Sequence, residues 1–216
     1  MQQKNISITK TARYFILGDA SDEIEQIWFV CHGYAQLANY FIKNFEVLDN
    51  GKNLIVAPEG LSRFYWKGFS DRVVASWMTR EDRESDIEDY INFLNSVYTE
   101  VCSSLKNKNV RINVLGFSQG TATVCRWVAS GKVKVDNFIL WAGAFPDDLD
   151  LTVENVVFDR MKKFAVIGDQ DEFLNEAAIA KQFAYLNKNK ISLDLIRFHG
   201  KHEINNEALL DLQKRF

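Results

Sequence analysis

A serine hydroxyl, three imidazoles and a short acidic turn are the groups in this chain best suited to chemistry. Ser118 stands in Gly116-Phe117-Ser118-Gln119-Gly120, which fits G-x-S-x-G. An apolar run from Arg111 to Leu115 precedes it and reads as a buried strand. Thr121 to Val128 follows with helical spacing. Strand, turn and helix in that order make a nucleophile elbow, in which a strained turn lifts the hydroxyl clear of the sheet. Gly116 and Gly120 leave room for the strand and helix backbones to close on one another. The chemistry expected of Ser118 is attack on a carbonyl carbon.

A serine hydroxyl needs a base within hydrogen-bond reach and a third group to orient that base. The histidines are His32, His199 and His202. In the chain order serine, acid, histidine, the base follows Ser118, which leaves the last two. His199 ends a strand and would be fixed by the sheet, whereas His202 lies beyond Gly200 on a loop where its ring can turn. Position therefore favours His202. The acid is expected in Gly168-Asp169-Gln170-Asp171-Glu172, after the preceding strand. Asp169 directly follows that strand and suits capping the turn through its own backbone. Asp171 lies further out and suits receiving the imidazole N–H, so it is favoured over Asp169. Glu172 is expected to open the next helix.

The oxyanion that develops during attack needs donors already in place, and backbone N–H groups supply them without reorganising. Gln119, first after the serine, offers one from a helix N-terminus. The second is expected from His32-Gly33-Tyr34-Ala35, the loop after a strand ending at Cys31, with the Tyr34 N–H as the choice. His32 is then a structural hydrogen-bonding residue beneath that loop. Trp66, Phe69, Trp77 and Met78 could line an apolar substrate pocket, although covering the sheet is as good a reading for any one of them. His199 and His202 are three apart, which raises a metal site. Zinc needs three or four converging ligands, and neither a Cys pair nor H-E-x-x-H occurs, so neither metal nor cofactor is expected.

These residues need a frame. Gln26 to Cys31 and Asn53 to Ala57 are continuous apolar runs, as in strands covered on both faces. Asn137 to Trp141, Phe164 to Ile167 and Leu193 to Phe198 read as further strands. Helical spacing marks Ala38 to Leu48, Phe173 to Leu186 and roughly Asn205 to Phe216. A longer helix follows Thr79, a suitable N-cap, with Ile87, Tyr90, Ile91, Leu94, Val97 and Tyr98 as its apolar stripe and Arg80 to Glu84 as its solvated start. The N-terminal segment alternates like a hairpin, Asn5 to Lys10 and then Arg13 to Leu17. Strands and helices in alternation imply an α/β fold: a mostly parallel central sheet flanked by helices on both faces. Ligands bind such sheets at the carboxyl ends of the strands, where every group named above falls.

Composition sets the bounds. At 216 residues, 47% of them hydrophobic, the chain is expected to form one domain spanning 1–216 with one large core. A net charge of -3 argues against nucleic-acid binding. No run approaches membrane-spanning length, and the first residues lack the apolar core and cleavage site of a signal peptide. Cys31, Cys102 and Cys125 are odd in number, which suits free thiols in a reducing compartment and a cytoplasmic protein. A homodimer is left open.

The chain resembles the α/β-hydrolase superfamily, and within it the small carboxylesterase, phospholipase and acyl-protein thioesterase family. Gly116-Phe117-Ser118-Gln119-Gly120 is similar to that family's G-F-S-Q-G elbow, His32-Gly33 to its H-G loop, Gly168-Asp169-Gln170-Asp171 to its G-D-x-D turn and Gly200-Lys201-His202 to its G-x-H. The resemblance implies a nearly capless hydrolase with a shallow acyl site, acting on esters or thioesters. Three positions depart from the family pattern. Ala35 and Gln36 stand where Gly and Asp are usual, Thr121 replaces a Gly after the elbow, and Glu172 replaces a Pro.

The leading expectation is a serine esterase that cleaves small-molecule esters or thioesters of short to medium acyl chains through an acyl-enzyme. Ser118, His202 and Asp171 would act with the Tyr34 and Gln119 amides. A catalytically silent binding protein on the same fold would be favoured by a missing triad member, and none is missing. A serine amidase or peptidase would use the same residues.

Overall fold

A computed structural model describes residues 1–149 and 151–216, with residues 152–155 described by their backbone alone. The strands are β1 (Tyr14–Leu17), β2 (Gln26–Cys31), β3 (Asn53–Pro58), β4 (Ser62–Tyr65), β5 (Val73–Ser76), β6 (Arg111–Phe117), β7 (Asn137–Trp141), β8 (Lys162–Gly168) and β9 (Asp194–Phe198). The α-helices are α1 (Ala38–Phe41), α2 (Arg83–Ser104), α3 (Gln119–Ala129), α4 (Leu151–Phe158), α5 (Glu176–Lys188) and α6 (Asn206–Gln213), with a 3₁₀ stretch at Ile42–Leu48. The main sheet has the order β1-β3-β2-β6-β7-β8-β9. All its neighbours pair parallel except β1, which runs antiparallel to β3. The expected mostly parallel sheet is present.

The period of two along each strand sorts side chains to opposite faces. In β2, Ile27, Phe29 and Cys31 join one core with Tyr90, Leu94 and Val97 of α2 and Val124, Trp127 and Val128 of α3. Trp28 and Val30 point the other way, onto Phe41, Ile42, Phe45 and Leu48 and onto Leu209 and Leu212 of α6. Helices thus cover both faces, and β2 and β3 are buried along their whole length. At the amino end of the sheet three side-chain amides form a buried ladder. Asn137 Nδ2 donates to Asn113 Oδ1 at 2.7 Å, and Asn113 Nδ2 to Gln26 Oε1 at 2.9 Å.

Four expectations need correction. Asn5 to Lys10 is not a strand. The Arg13–Leu17 run pairs with β3 instead, and the earlier segment passes beyond the sheet, where Asn5 Nδ2 reaches Ser85 and Asp82 and Lys10 reaches the Leu61 carbonyl. Alternation reports a half-buried surface, and here no partner edge exists to bury it: Ile6 is 86% exposed. The long helix starts at Arg83 rather than after Thr79, because Thr79 Oγ1 closes a local turn with Glu81 and Asp82 adopts a φ of 48°. The helix expected from Phe173 begins at Glu176, capped by Asn175, whose side chain accepts the Ala178 N–H at 2.9 Å. Glu172 therefore does not open it. The segment expected as one helix from Ala38 to Leu48 is a single α turn followed by 3₁₀.

The β4–β5 hairpin was not foreseen. It pairs antiparallel, Ser62 opposite Ser76, and lies beside the loop after β2 through a bridge between Gln36 and Ala75.

Candidate active site

In sheet order the chain leaves β2 toward β3 and leaves β6 toward β7, in opposite directions across the sheet, so the order reverses at the β2/β6 boundary. The crevice at such a switch point receives the loops that follow both strands. Cys31 pairs with Gly116, which sets the His32–Ala35 loop directly beside the turn at Ser118.

Ser118 has φ 54° and ψ -116°, a conformation that costs a non-glycine residue on the order of 1–3 kcal/mol and persists only where the surroundings enforce it. The enforcement is local. The Ser118 N–H donates to the Trp141 carbonyl at 2.9 Å, and the Ser118 carbonyl accepts both the Thr121 N–H at 3.0 Å and the Thr121 hydroxyl at 2.6 Å. Thr121, where the resembling family carries Gly, thus braces the turn. A Cβ on Gly116 would overlap the Gly120 carbonyl, and one on Gly120 the Cys31 carbonyl, so the elbow closes only with glycine at both positions.

Gly33 abuts the serine: a Cβ there would lie 3.1 Å from Ser118 Cβ. Its N–H donates to Gln36 Oε1 at 2.8 Å, and the Ala35 N–H to the Ala75 carbonyl at 3.0 Å. Between them the Tyr34 N–H, and at the start of α3 the Gln119 N–H, have no acceptor among the described residues. Ala35 holds φ 58°, where glycine is the usual occupant, and its bridge to β5 secures that conformation. Gln36 replaces an acidic residue of the family pattern with an amide that closes the loop on Gly33.

Beneath the loop, His32 is fully buried. Its Nε2 accepts the Gly60 N–H at 2.9 Å, so the ring proton sits on Nδ1 and donates to the Gly33 carbonyl at 2.7 Å. The Trp77 indole N–H donates to the His32 carbonyl at 2.8 Å. Burial pushes the His32 pKa down to about 4, against the partial opposition of the Gly33 bond and the Glu59 charge. His32 is a neutral structural residue, as the sequence implied.

The two remaining histidines each meet one aspartate. His202 Nδ1 lies 2.8 Å from Asp171 Oδ2, with the Asp171 side chain wholly buried and that of His202 19% exposed. Asp171 Oδ1 accepts the Phe173 N–H at 2.8 Å. A carboxylate accepts, so the ring proton of His202 belongs on Nδ1 and Nε2 is left open; neither Nε2 nor Ser118 Oγ has a hydrogen-bond partner among the described residues. Such bonds are commonly long until substrate closes the site. The His202 ring packs between Phe117, at 5.0 Å, and Phe173, at 4.7 Å, which brings it against the residue next to Ser118. His199 pairs instead with Asp169, Nδ1 to Oδ2 at 3.0 Å, on an exposed surface. That hydrogen bond, together with the Gly200 N–H, holds the Asp169 carboxyl below its usual pKa despite slight desolvation. Asp169 ties the acid turn to the histidine loop and also engages its own backbone N–H, as its place after the strand suggests.

Three positioning residues escaped the sequence reading. Trp141, at the end of β7, donates its indole N–H to the Glu203 carbonyl at 2.8 Å and so fastens the loop bearing His202 across the sheet. A buried Trp must find an acceptor, which is the one signal that could have found it. Phe173 both orients Asp171 through its N–H and covers His202. Ser76 receives the side chain of Gln119.

The aromatic residues separate. Trp66 flanks Tyr34, ring centroids 6.0 Å apart, beside the His32–Ala35 loop. Phe69 sits 96% exposed in the turn between β4 and β5. Met78 is partly buried, its sulfur 3.6 Å from Arg126 Nη1, and Arg126 in turn grips Asp148 at 3.0 Å. Trp77 is a correction to the expected pocket: its ring is 1% exposed in the core against His32 and Tyr90 and presents no surface to a ligand.

Among the described residues no group of three or more His, Cys, Asp or Glu side chains is arranged to hold a metal, and no helix is long and apolar enough to cross a membrane.

Solved structures similar to this one include Zea mays acyl-protein thioesterase 2 (TM-score 0.72, 14% identity, 95% of this chain and 97% of that one). Esterase PE8 aligns with TM-score 0.69 at 16% identity over 95% and 98%. A Bacillus cereus carboxylesterase aligns with TM-score 0.65 at 12% identity over 95% of both. At such identities the likeness speaks to the fold, which is that of an α/β-hydrolase. No curated protein matches the sequence. A family model described as Serine hydrolase (FSH1) matches residues 29–211, and the chain therefore belongs to that serine hydrolase family.

Proposed function

We propose that the chain is a serine esterase that cleaves small carboxylic esters or thioesters of short to medium acyl chains through an acyl-enzyme. Ser118 Oγ attacks the carbonyl carbon while His202 Nε2 takes its proton. Asp171 holds the imidazole in the required tautomer and stabilises the imidazolium. The carbonyl oxygen, now an anion, is received by the N–H groups of Tyr34 and Gln119, at the positive end of α3. Collapse of the tetrahedral species breaks the bond to the alkoxide or thiolate, which leaves with the proton from His202. Water, activated by the same imidazole, then attacks the acyl-serine, and collapse returns Ser118 and a carboxylic acid. Trp66 and Met78 are the apolar side chains proposed to meet substrate, with Phe69 beyond them on the hairpin turn.

The observation that most supports this reading is the buried Asp171–His202 pair at 2.8 Å, with Nε2 open and packed against the residue beside a strained Ser118. Core packing alone gives no reason to combine a strained serine, two unpartnered amides and a buried carboxylate–imidazole pair at one edge of a sheet. The test is a fluorophosphonate probe with peptide mapping, run beside p-nitrophenyl esters and thioesters of graded chain length. Stoichiometric labelling at Ser118, turnover of the shorter esters, and loss of both in Ser118→Ala are expected. Folded protein that gives no adduct, or an adduct elsewhere, would refute the proposal.

A further inference from the structure

Beyond its main-chain N–H, Gln119 carries a side chain that hydrogen-bonds to several groups beside the site. Its Nε2 donates to Ser76 Oγ at 3.0 Å and to the Met78 carbonyl at 3.1 Å, while its Oε1 accepts the Trp77 N–H at 3.3 Å. The Ser76 hydroxyl passes its own proton to the Met78 carbonyl at 2.8 Å. The amide therefore grips three consecutive residues that end β5 and follow it. One residue earlier, Ala75 accepts the Ala35 N–H and donates to the Gln36 carbonyl, both at 3.0 Å. Those two bonds hold the residues directly after Tyr34, and the Gly33 N–H to Gln36 Oε1 bond at 2.8 Å holds the residue before it.

The chain of contacts begins and ends at the oxyanion donors. It runs from the Gln119 side chain through Ser76 and Ala75 to Ala35 and so to the Tyr34 N–H. We infer that Gln119 is a positioning residue for the second donor: its side chain, acting through β5, fixes the Tyr34 N–H at a set distance from its own N–H. The inference rests on the esterase reading of this site and adds a role which that reading does not contain.

The physical need is clear. Tyr34 lies on a turn whose left-handed Ala35 has no glycine to relax it, and the amide donors must be in place before charge develops. β4 and β5 pair only with one another and with the Gln36 bridge, and the Trp77 indole, bonded to the His32 carbonyl at 2.8 Å, anchors the end of β5 beneath the loop rather than beside Ser118. The Gln119 amide is a direct tie between that small sheet and the elbow.

The test pairs Gln119→Met, which keeps length and removes every hydrogen bond, with Ser76→Ala, which deletes a single hydroxyl remote from the reacting atoms. Kinetics on a short p-nitrophenyl ester, binding of a trifluoromethyl ketone that forms a tetrahedral oxyanion with serine, and thermal melting are measured together. Loss of a whole oxyanion donor costs about 10²–10³ in kcat, so a misplaced one should cost on the order of 10- to 100-fold. The expected result is that loss in kcat for Gln119→Met, with KM within about 2-fold and a parallel weakening of the ketone. Ser76→Ala should show a smaller loss of the same kind, and Gln119→Glu, which can still accept from the Trp77 N–H, should recover part of the rate. An unchanged kcat, or a raised KM with kcat intact, would overturn the inference. So would a loss that tracks melting temperature in Gln119→Met and is absent from a stably folded Ser76→Ala. Wild-type protein that fails to label at Ser118 refutes the esterase reading itself, whereas normal labelling with indifferent variants refutes only the role of Gln119.

Discussion

His32 offers a test of the site's foundations that does not depend on activity. The ring is buried and neutral, with Nε2 accepting from Gly60 and Nδ1–H donating to Gly33. Protonation would place a second N–H against the Gly60 N–H and a charge in the core. The folded-state pKa of about 4 lies below the unfolded value of 6.5, so the unfolded chain binds more protons between those limits. Stability from this residue is complete above pH 6.5 and falls as pH drops, by about 1.4 kcal/mol per unit, until it levels near pH 4. Lowering the pH from 7 to 5 should therefore cost about 2 kcal/mol through His32 alone.

Other groups titrate in the same range, so the measurement must be a difference. His32→Gln keeps an acceptor near the position of Nε2 and removes the titration. Urea unfolding of both proteins at several pH values gives the comparison. At pH 7 the variant should be the less stable, since it loses the ring packed 5.0 Å from Trp77. That gap should narrow by about 2 kcal/mol at pH 5. Parallel pH profiles for the two proteins would refute the assignment of His32 as a buried neutral acceptor.

Two further outcomes follow from the same geometry. Asp171→Asn and His202→Ala should each lower ester turnover by roughly 10³–10⁴-fold, measured as kcat/KM. Asp169→Asn and His199→Ala, on the exposed pair, should stay within about 10-fold, and a reversed ranking would reassign acid and base. Trp141→Phe removes the tie to the Glu203 carbonyl while keeping the buried ring. It should cost about 1 kcal/mol in urea unfolding and lower kcat more than it raises KM; an intact kcat would show that the His202 loop holds itself.

Much of this molecule is legible in the residues because its core strands are covered on both faces. The runs at β2, β3, β6, β7 and β8 are apolar over most of their length and bounded by polar turns, so their number and order survive without knowledge of partners. The elbow, the acid turn and the histidine loop then fall at the same edge by topology alone. What failed depends on partners distant in sequence. Asn5 to Lys10 alternates as well as Tyr14 to Leu17 does, but only the second finds an edge, that of β3. Ser62–Tyr65 and Val73–Ser76 are strands through their pairing with one another, and the Gln36–Ala75 bridge sets them beside the site. Helical spacing alone extends the fifth helix back to Phe173, whereas the Asn175 cap starts it later and leaves the Phe173 N–H to bond Asp171. The residue type of Trp77 suggests a pocket wall, and burial under the His32–Ala35 loop decides otherwise.

The amide ladder at the far end of the sheet acts as a ruler for the site. Gln26, Asn113 and Asn137 lie on β2, β6 and β7, the strands whose opposite ends carry the Tyr34 loop, Ser118 and Trp141. A two-residue slip of β6 would keep every apolar side chain on its proper face, so the cores alone resist it weakly. It would nevertheless shift Ser118 by about 6–7 Å along the strand. The slip would also strand buried amides without partners, at about 1–3 kcal/mol for each group left unsatisfied. Alignment of Ser118 with the Tyr34 and Gln119 amides is thus set partly by neutral side chains at the other end of the sheet, and substitutions there by apolar isosteres would test alignment rather than stability.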